Sequence, residues 1–215
     1  MSNVWSDLHD NYKKQDWINK PSIFAETAIT YFPPTGTLLE LGAGLGQDSQ
    51  FFSAHGYHVV STDLESLPLQ QSKDKVTDDI RDKIVFQTVD LRNPLPFDEA
   101  TFEIVYAHLS LHYFDQETTR DLFTEIRRVL KPGGVLAFLV NSIHDPEYNT
   151  GEKLAEDYFK IDQTTKRYFS IQSAETFAEG FSITLLDDDG ETYKDNDKGV
   201  RHLVRFIGKM PMKAA

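Results

Sequence analysis

The sequence predicts an α/β domain built on a doubly wound, mostly parallel seven-stranded sheet with a C-terminal antiparallel hairpin. Three observations carry that expectation. Short apolar runs of strand length alternate with longer windows of helical periodicity over residues 37–140, and such alternation implies parallel strands joined by right-handed crossovers. A turn holding Gly42, Gly44 and Gly46 joins the first run directly to a helix. After Phe181 two strand-like segments follow each other with turn residues between them and no room for a helix, which is the pattern of a hairpin.

The elements follow in order. A helix is expected from Pro21 to about Tyr31, ended by Pro33-Pro34. Thr37–Leu41, Tyr57–Thr62, Lys83–Val89, Phe102–Ala107 and Val135–Val140 have the length and the Val/Leu/Ile/Phe content of buried parallel strands. Helical windows lie between them at Gln47–His55, Glu65–Thr77 and Gln116–Leu130. The last carries Leu122, Phe123, Ile126, Val129 and Leu130 at three- and four-residue spacing, the stripe of a helix docked on a sheet. Lys131-Pro132-Gly133-Gly134 is expected to be a turn. Lys166–Ser170 reads as a short surface loop leading into a helix near Ala174–Glu179, and the hairpin pairs the segment from Phe181 to Tyr193 with Val200–Ile207.

The chain has 215 residues, 40% of them hydrophobic and 26% charged, which suits one ordinary soluble domain. The domain is expected to run over 1–215, with a helical N-terminal segment at 1–35, a core at 36–143 and a C-terminal part at 144–215. Twenty-two Lys and Arg against 34 Asp and Glu leave a net charge of −12. Such a surface repels phosphate backbones and anionic lipid, so neither nucleic acid nor a membrane is expected as a partner. The absence of cysteine excludes disulfides, thiolate metal sites and a Cys nucleophile. Residues 1–17 hold no apolar core of a secretory signal, and the longest apolar run, Val135–Val140, is far short of a membrane span. The expectation is a cytoplasmic protein, monomeric or homodimeric.

The chemistry concentrates in Leu38-Leu39-Glu40-Leu41-Gly42-Ala43-Gly44-Leu45-Gly46-Gln47-Asp48, a strand that runs through a glycine turn straight into a helix. Glycine permits positive φ and lets backbone N–H groups approach a ligand with no Cβ in the way. The helix start then offers unpaired donors and partial positive charge to an anionic group. A tight turn without a ligand is the plain alternative. Dinucleotide enzymes place their third glycine three residues after the second, whereas here position 47 is Gln. That spacing disfavours an NAD(P)-dependent oxidoreductase.

Glu40-Leu41-Gly42-Ala43-Gly44-Leu45-Gly46 resembles the first motif of the class I S-adenosylmethionine-dependent methyltransferases, an acidic residue followed by G-x-G-x-G. Four further segments match that family in order: Asp63 closing Val59–Asp63, Asp90 in Phe86–Leu91, Phe97–Val105, and the helix, turn and strand of Glu125–Val140. Glu103 stands where the family more often has Asp. The resemblance covers about residues 36–143 and implies a Rossmann-like fold, S-adenosyl-L-methionine as cofactor and S-adenosyl-L-homocysteine as product. It further implies cofactor contacts from Glu40, Gly42, Ala43, Gly44, Gly46, Asp63, Leu64, Asp90, Leu91 and His108. Asp63 would hold the ribose hydroxyls, because a carboxylate can accept both protons of a vicinal diol, and Asp90 would lie near the adenine amino group.

The acceptor side is less determined. Candidates at the strand ends are His112, Tyr113, Asn141 and His144, and the N-terminal segment adds Tyr12, Lys14 and Trp17 as parts of a lid. His112 is the first choice for a general base, since imidazole titrates near neutrality. His108 and His112 are four residues apart, but no cysteine or carboxylate triad accompanies them, and no metal is expected. Asp187–Glu191 lacks the alternating ligand spacing of a calcium loop and reads as a solvated edge. The function that follows is methyl transfer to a small-molecule acceptor. The alternative is a catalytically inactive adenosylmethionine-binding regulatory protein.

Overall fold

The apolar runs become β1 (Thr37–Leu41), β2 (His58–Asp63), β3 (Ile84–Thr88), β4 (Phe102–His108) and β5 (Leu130–Val140) in a computed structural model that describes residues 19–193 and 201–212. With β9 (Ser182–Glu191) and β10 (Arg201–Lys209) they form one seven-stranded sheet of order β3-β2-β1-β4-β5-β10-β9. β1 pairs in parallel with β2 and β4, β2 with β3, and β4 with β5. β10 is antiparallel to both β5 and β9, which is the expected hairpin. The chain moves outward from β1 to β3 and then returns to place β4 on the other side of β1. That reversal opens a crevice outside the carboxyl ends of β1 and β4, where ligands bind in open α/β sheets.

Strand side chains alternate between the two faces of the sheet, and this sorts the core. Leu38, Ile104 and Tyr106 pack with Phe24 of α1 (Ile23–Ala28) and Phe52 of α2 (Gln47–Ala54). Leu39, Leu41 and Val105 pack on the opposite face with Leu122, Phe123 and Ile126 of α4 (Gln116–Val129). α3 (Ser66–Lys75) lies over β2 and β3, and α5 (Ile171–Phe177) sends Ala174 into the α4 side. Helix starts are capped where the chain provides short polar residues: Asp115 accepts the Thr118 N–H at 2.8 Å, and Ser170 forms a capping box with Ser173.

Three boundary expectations need correction. The helix expected over 21–31 divides into α1, whose N-cap is Ser22, and a 3-10 turn at Ile29–Tyr31. The Lys131–Gly134 turn is instead the first part of β5, with the register slipping between Phe102 and Ile104 and Lys131 pairing with Glu103. Gly133 absorbs the direction change at φ +78°. α5 begins at Ile171 rather than Ala174, because its Ser170 cap lies further upstream.

The largest difference is a second sheet, antiparallel and three-stranded, made of β6 (Glu152–Ala155), β7 (Tyr158–Ile161) and β8 (Thr164–Arg167). The expected surface loop at Lys166–Ser170 is the end of β8 and its continuation. Arg167, Tyr168 and Phe169 are buried there, at 6%, 1% and 0% exposure. Polar β8 has no apolar alternation to announce it, and its burial comes from covering the ends of β4 and β5.

Candidate active site

The glycine turn is left-handed at each of its glycines: Gly42 has φ +74°, Gly44 +54° and Gly46 +74°. Side chains rarely adopt such angles, which explains the residue choice. A Cβ at Gly42 would overlap Ser110, whose hydroxyl donates to the Leu41 carbonyl at 2.5 Å. The turn is thus held against the end of β4. Gly46 leads into α2 with no side-chain cap on its first turn, so the helix-start amides stay available to an anionic group.

Asp63 at the end of β2 clamps this turn. Its Oδ2 accepts the Gly44 N–H at 2.8 Å and its Oδ1 accepts the Glu65 N–H at 2.9 Å. Ala43 N–H donates to the Thr62 carbonyl at 2.7 Å, which adds a second tie between turn and strand. Leu64 beside it is 40% exposed. Asp90, after β3, is gripped by Arg92, with Nε to Oδ1 at 2.9 Å and Nη2 to Oδ2 at 2.7 Å. That hydrogen-bonded guanidinium holds the Asp90 carboxyl below the usual carboxylate range. Leu91 is half-buried against the α4-side core.

Glu40 points beneath the turn. It is 2% exposed and accepts the Ser49 hydroxyl, which is also within 2.7 Å of the Ser61 hydroxyl. Burial first, then the neighbouring Asp48, push its pKa well above the usual carboxylate range, while the Ser49 bond opposes them and Asp63 adds to them. The sequence reading missed Asp48. Its carboxylate, 5% exposed, accepts the Ser22 N–H at 2.6 Å, the Ser22 hydroxyl at 2.7 Å and the Tyr106 hydroxyl at 2.8 Å. The available signal was an acidic residue in the first turn of a helix just after the glycines. His108, two residues beyond Tyr106 on the same face, is lowered in pKa by burial, with Asp48 pulling the other way. Its Nε2 lies 3.5 Å from the Thr192 hydroxyl at the end of β9.

The acceptor-side candidates separate. His112 is 2% exposed in the turn after β4, and its ring lies 4.3 Å from that of half-buried Tyr113. Asn141 closes β5 and is 8% exposed. His144 is exposed at the rim, 3.5 Å from Asp188. Tyr12, Lys14 and Trp17 lie outside the described residues. In the acidic run after Leu186, Asp187 is engaged rather than solvated: Arg205 grips it through Nε at 2.7 Å and Nη2 at 2.8 Å. Among the described residues no group of three or more His, Asp and Glu could hold a metal ion, and no helix is long and apolar enough to cross a membrane.

Comparison with known proteins gives a consistent picture. Residues 39–138 match the family model described as a methyltransferase domain. Phosphoethanolamine N-methyltransferase 1 of Triticum aestivum is 28% identical over 152 residues, covering 70% of this chain and 30% of that protein. Malonyl-[acyl-carrier protein] O-methyltransferase of Salmonella typhimurium is 28% identical over 102 residues, 47% of this chain and 38% of the relative. The chain therefore spans well under half the length of these two curated relatives. A solved SAM-dependent methyltransferase from Methanosarcina mazei superposes with a TM-score of 0.71 at 18% identity, covering 86% of this chain and 97% of that one. The order of the sheet, the left-handed glycine turn at its switch point and the match over 39–138 agree: residues 39–138 are similar to a methyltransferase domain, and the chain has the fold of solved S-adenosylmethionine-dependent methyltransferases.

Proposed function

We propose that the protein transfers a methyl group from S-adenosylmethionine to a small-molecule acceptor. The observation that carries this reading is the left-handed glycine turn clamped by Asp63 at the carboxyl edge of β1 and β2. The chemistry of the donor set fits the cofactor. Asp63 keeps lone pairs for two ribose hydroxyls beyond the amides it already accepts. Asp90, held in place by Arg92, would accept from an adenine amino group, and Leu64 and Leu91 would offer the ring apolar surface. The uncapped start of α2 suits an anionic group. Burial lowers the pKa of His108, which disfavours a positive charge there.

The bound cofactor supplies a methyl group on a sulfonium, already a good leaving group, for in-line displacement. The chain's own part is to position the acceptor and exclude water. His112, buried past the end of β4, takes the proton from an acceptor that carries one, and Tyr113 and Asn141 line the acceptor side. The relatives name a nitrogen acceptor in one protein and an oxygen acceptor in another. An imidazole base serves either when the attacking atom is protonated.

The test is methyl transfer from tritiated S-adenosylmethionine to a panel of small amines, alcohols, phenols and carboxylic acids. Label is expected in at least one small acceptor, with loss of turnover but unchanged cofactor affinity in His112→Gln. Cofactor binding with no labelled product across the panel would instead favour a non-catalytic binding protein.

A further inference from the structure

The segment Thr164–Phe169 takes up the backbone carbonyls of three consecutive residues past β4. Arg167 N–H donates to the His112 carbonyl at 2.7 Å, the Thr165 hydroxyl to the Tyr113 carbonyl at 3.1 Å, and Arg167 Nε–H to the Phe114 carbonyl at 3.2 Å. Two residues further on, Phe169 N–H donates to the Asn141 carbonyl at 2.8 Å, and the Phe169 carbonyl accepts the Ile143 N–H at 3.1 Å. One extended segment thereby stitches the loop after β4 to the loop after β5.

The stitch is itself packed against aromatic rings. The Arg167 guanidinium carbon lies 5.3 Å from the ring centre of Tyr158 and 5.7 Å from that of Phe177, within cation–π range of both. Burying a guanidinium is costly, and here its Nε–H is spent on a carbonyl in the His112 loop. Thr165 is half-buried, and its hydroxyl also goes to the loop. Catalytic geometry is sensitive to shifts of about 1 Å, so loops that carry reacting groups need such bracing.

We infer that Thr165 and Arg167 are positioning residues, which fix the His112 loop against Asn141 before an acceptor arrives. The inference rests on the reading of His112 and Asn141 as acceptor-side residues given above. It is independent of which acceptor is used.

Two readouts test it. In carbon-13-edited NMR the His112 imidazole cross-peak, identified by its loss in His112→Gln, should move or split in Thr165→Val and in Arg167→Lys. Tyr148→Phe removes the Tyr148–Asp157 hydrogen bond of 2.7 Å beside the same small sheet, touches no loop carbonyl, and should leave the peak in place. A His112 peak unmoved by both loop variants, or moved equally by Tyr148→Phe, overturns the inference. Thr165→Val is nearly isosteric on a half-buried residue and keeps the test open should Arg167→Lys fail to fold.

The second readout is turnover with the acceptor that gives labelled product. Thr165→Val should lower kcat about 2–12-fold, the worth of one hydrogen bond, with cofactor affinity unchanged. In a His112→Gln background it should cause no further loss, and an equal loss in both backgrounds overturns the inference. Wild-type turnover in His112→Gln alone would refute the reading of His112 as base, while the NMR result would still decide whether the stitch holds its loop.

Discussion

Tyr106 in β4 donates its hydroxyl to Asp48 Oδ2 over 2.8 Å, which joins strand and helix beneath the glycine turn through a carboxylate only 5% exposed. Ser22 completes the arrangement with two further donors. A buried carboxylate with three donors is satisfied; donors that lose it are not. Asp48→Ala should therefore cost about 1–3 kcal/mol of stability, measured by urea unfolding. Tyr106→Phe should cost less, about 1 kcal/mol, because both Ser22 donors remain.

Gly46 and Ser72 make a second coupled pair. Gly46 has φ +74°, and a Cβ there would overlap the Ser72 side chain. Gly46→Ala should lose about 2–4 kcal/mol, combining the left-handed backbone cost with overpacking. In a Ser72→Ala background the loss should shrink without vanishing, because the backbone cost stays. Ser72→Ala alone should not destabilise, since its buried hydroxyl has no hydrogen-bond partner among the described residues. Three unfolding curves and the wild type check these statements.

Glu40 gives a pH dependence with a definite sign. Its pKa in the folded protein is raised above the usual value, mainly by burial and then by Asp48. The folded state thus favours the protonated form, and the associated stability is complete below the unfolded value near pH 4.3. That stability is lost as pH rises through the folded value. Glu40→Gln, which keeps an acceptor for Ser49 without the charge, should unfold at higher urea than the wild type at pH 8. The advantage should fade as the pH approaches 4, and a pH-independent difference would contradict the assignment.

The centre of the parallel sheet was legible because β1, β4 and the second half of β5 are buried and read as continuous apolar runs. The glycine turn was legible because only glycine tolerates three left-handed positions so close together. β6–β8 were not, since Glu152–Ala155 and Thr164–Arg167 are polar and their order comes from pairing and from tertiary cover. For the same reason Arg167 looked like part of a surface loop, although it is buried over the His112 turn. Lys131–Gly134 carries turn residues yet continues into β5, where pairing of the flanking residues with β4 overrides local preference. Asp48 and Arg92 escaped notice because their partners, Ser22 and Tyr106 in one case and Asp90 in the other, meet them only through the fold or a tight turn.

The central claim is that the clamped glycine turn is an S-adenosylmethionine site read by Asp63. Isothermal titration of S-adenosylmethionine into the wild type and Asp63→Ala tests it most directly. The charge-assisted hydrogen bonds lost are worth about 10–150-fold in affinity, so the dissociation constant should rise by that factor in a variant whose far-ultraviolet circular dichroism is unchanged. An equal dissociation constant in the two proteins would contradict the account.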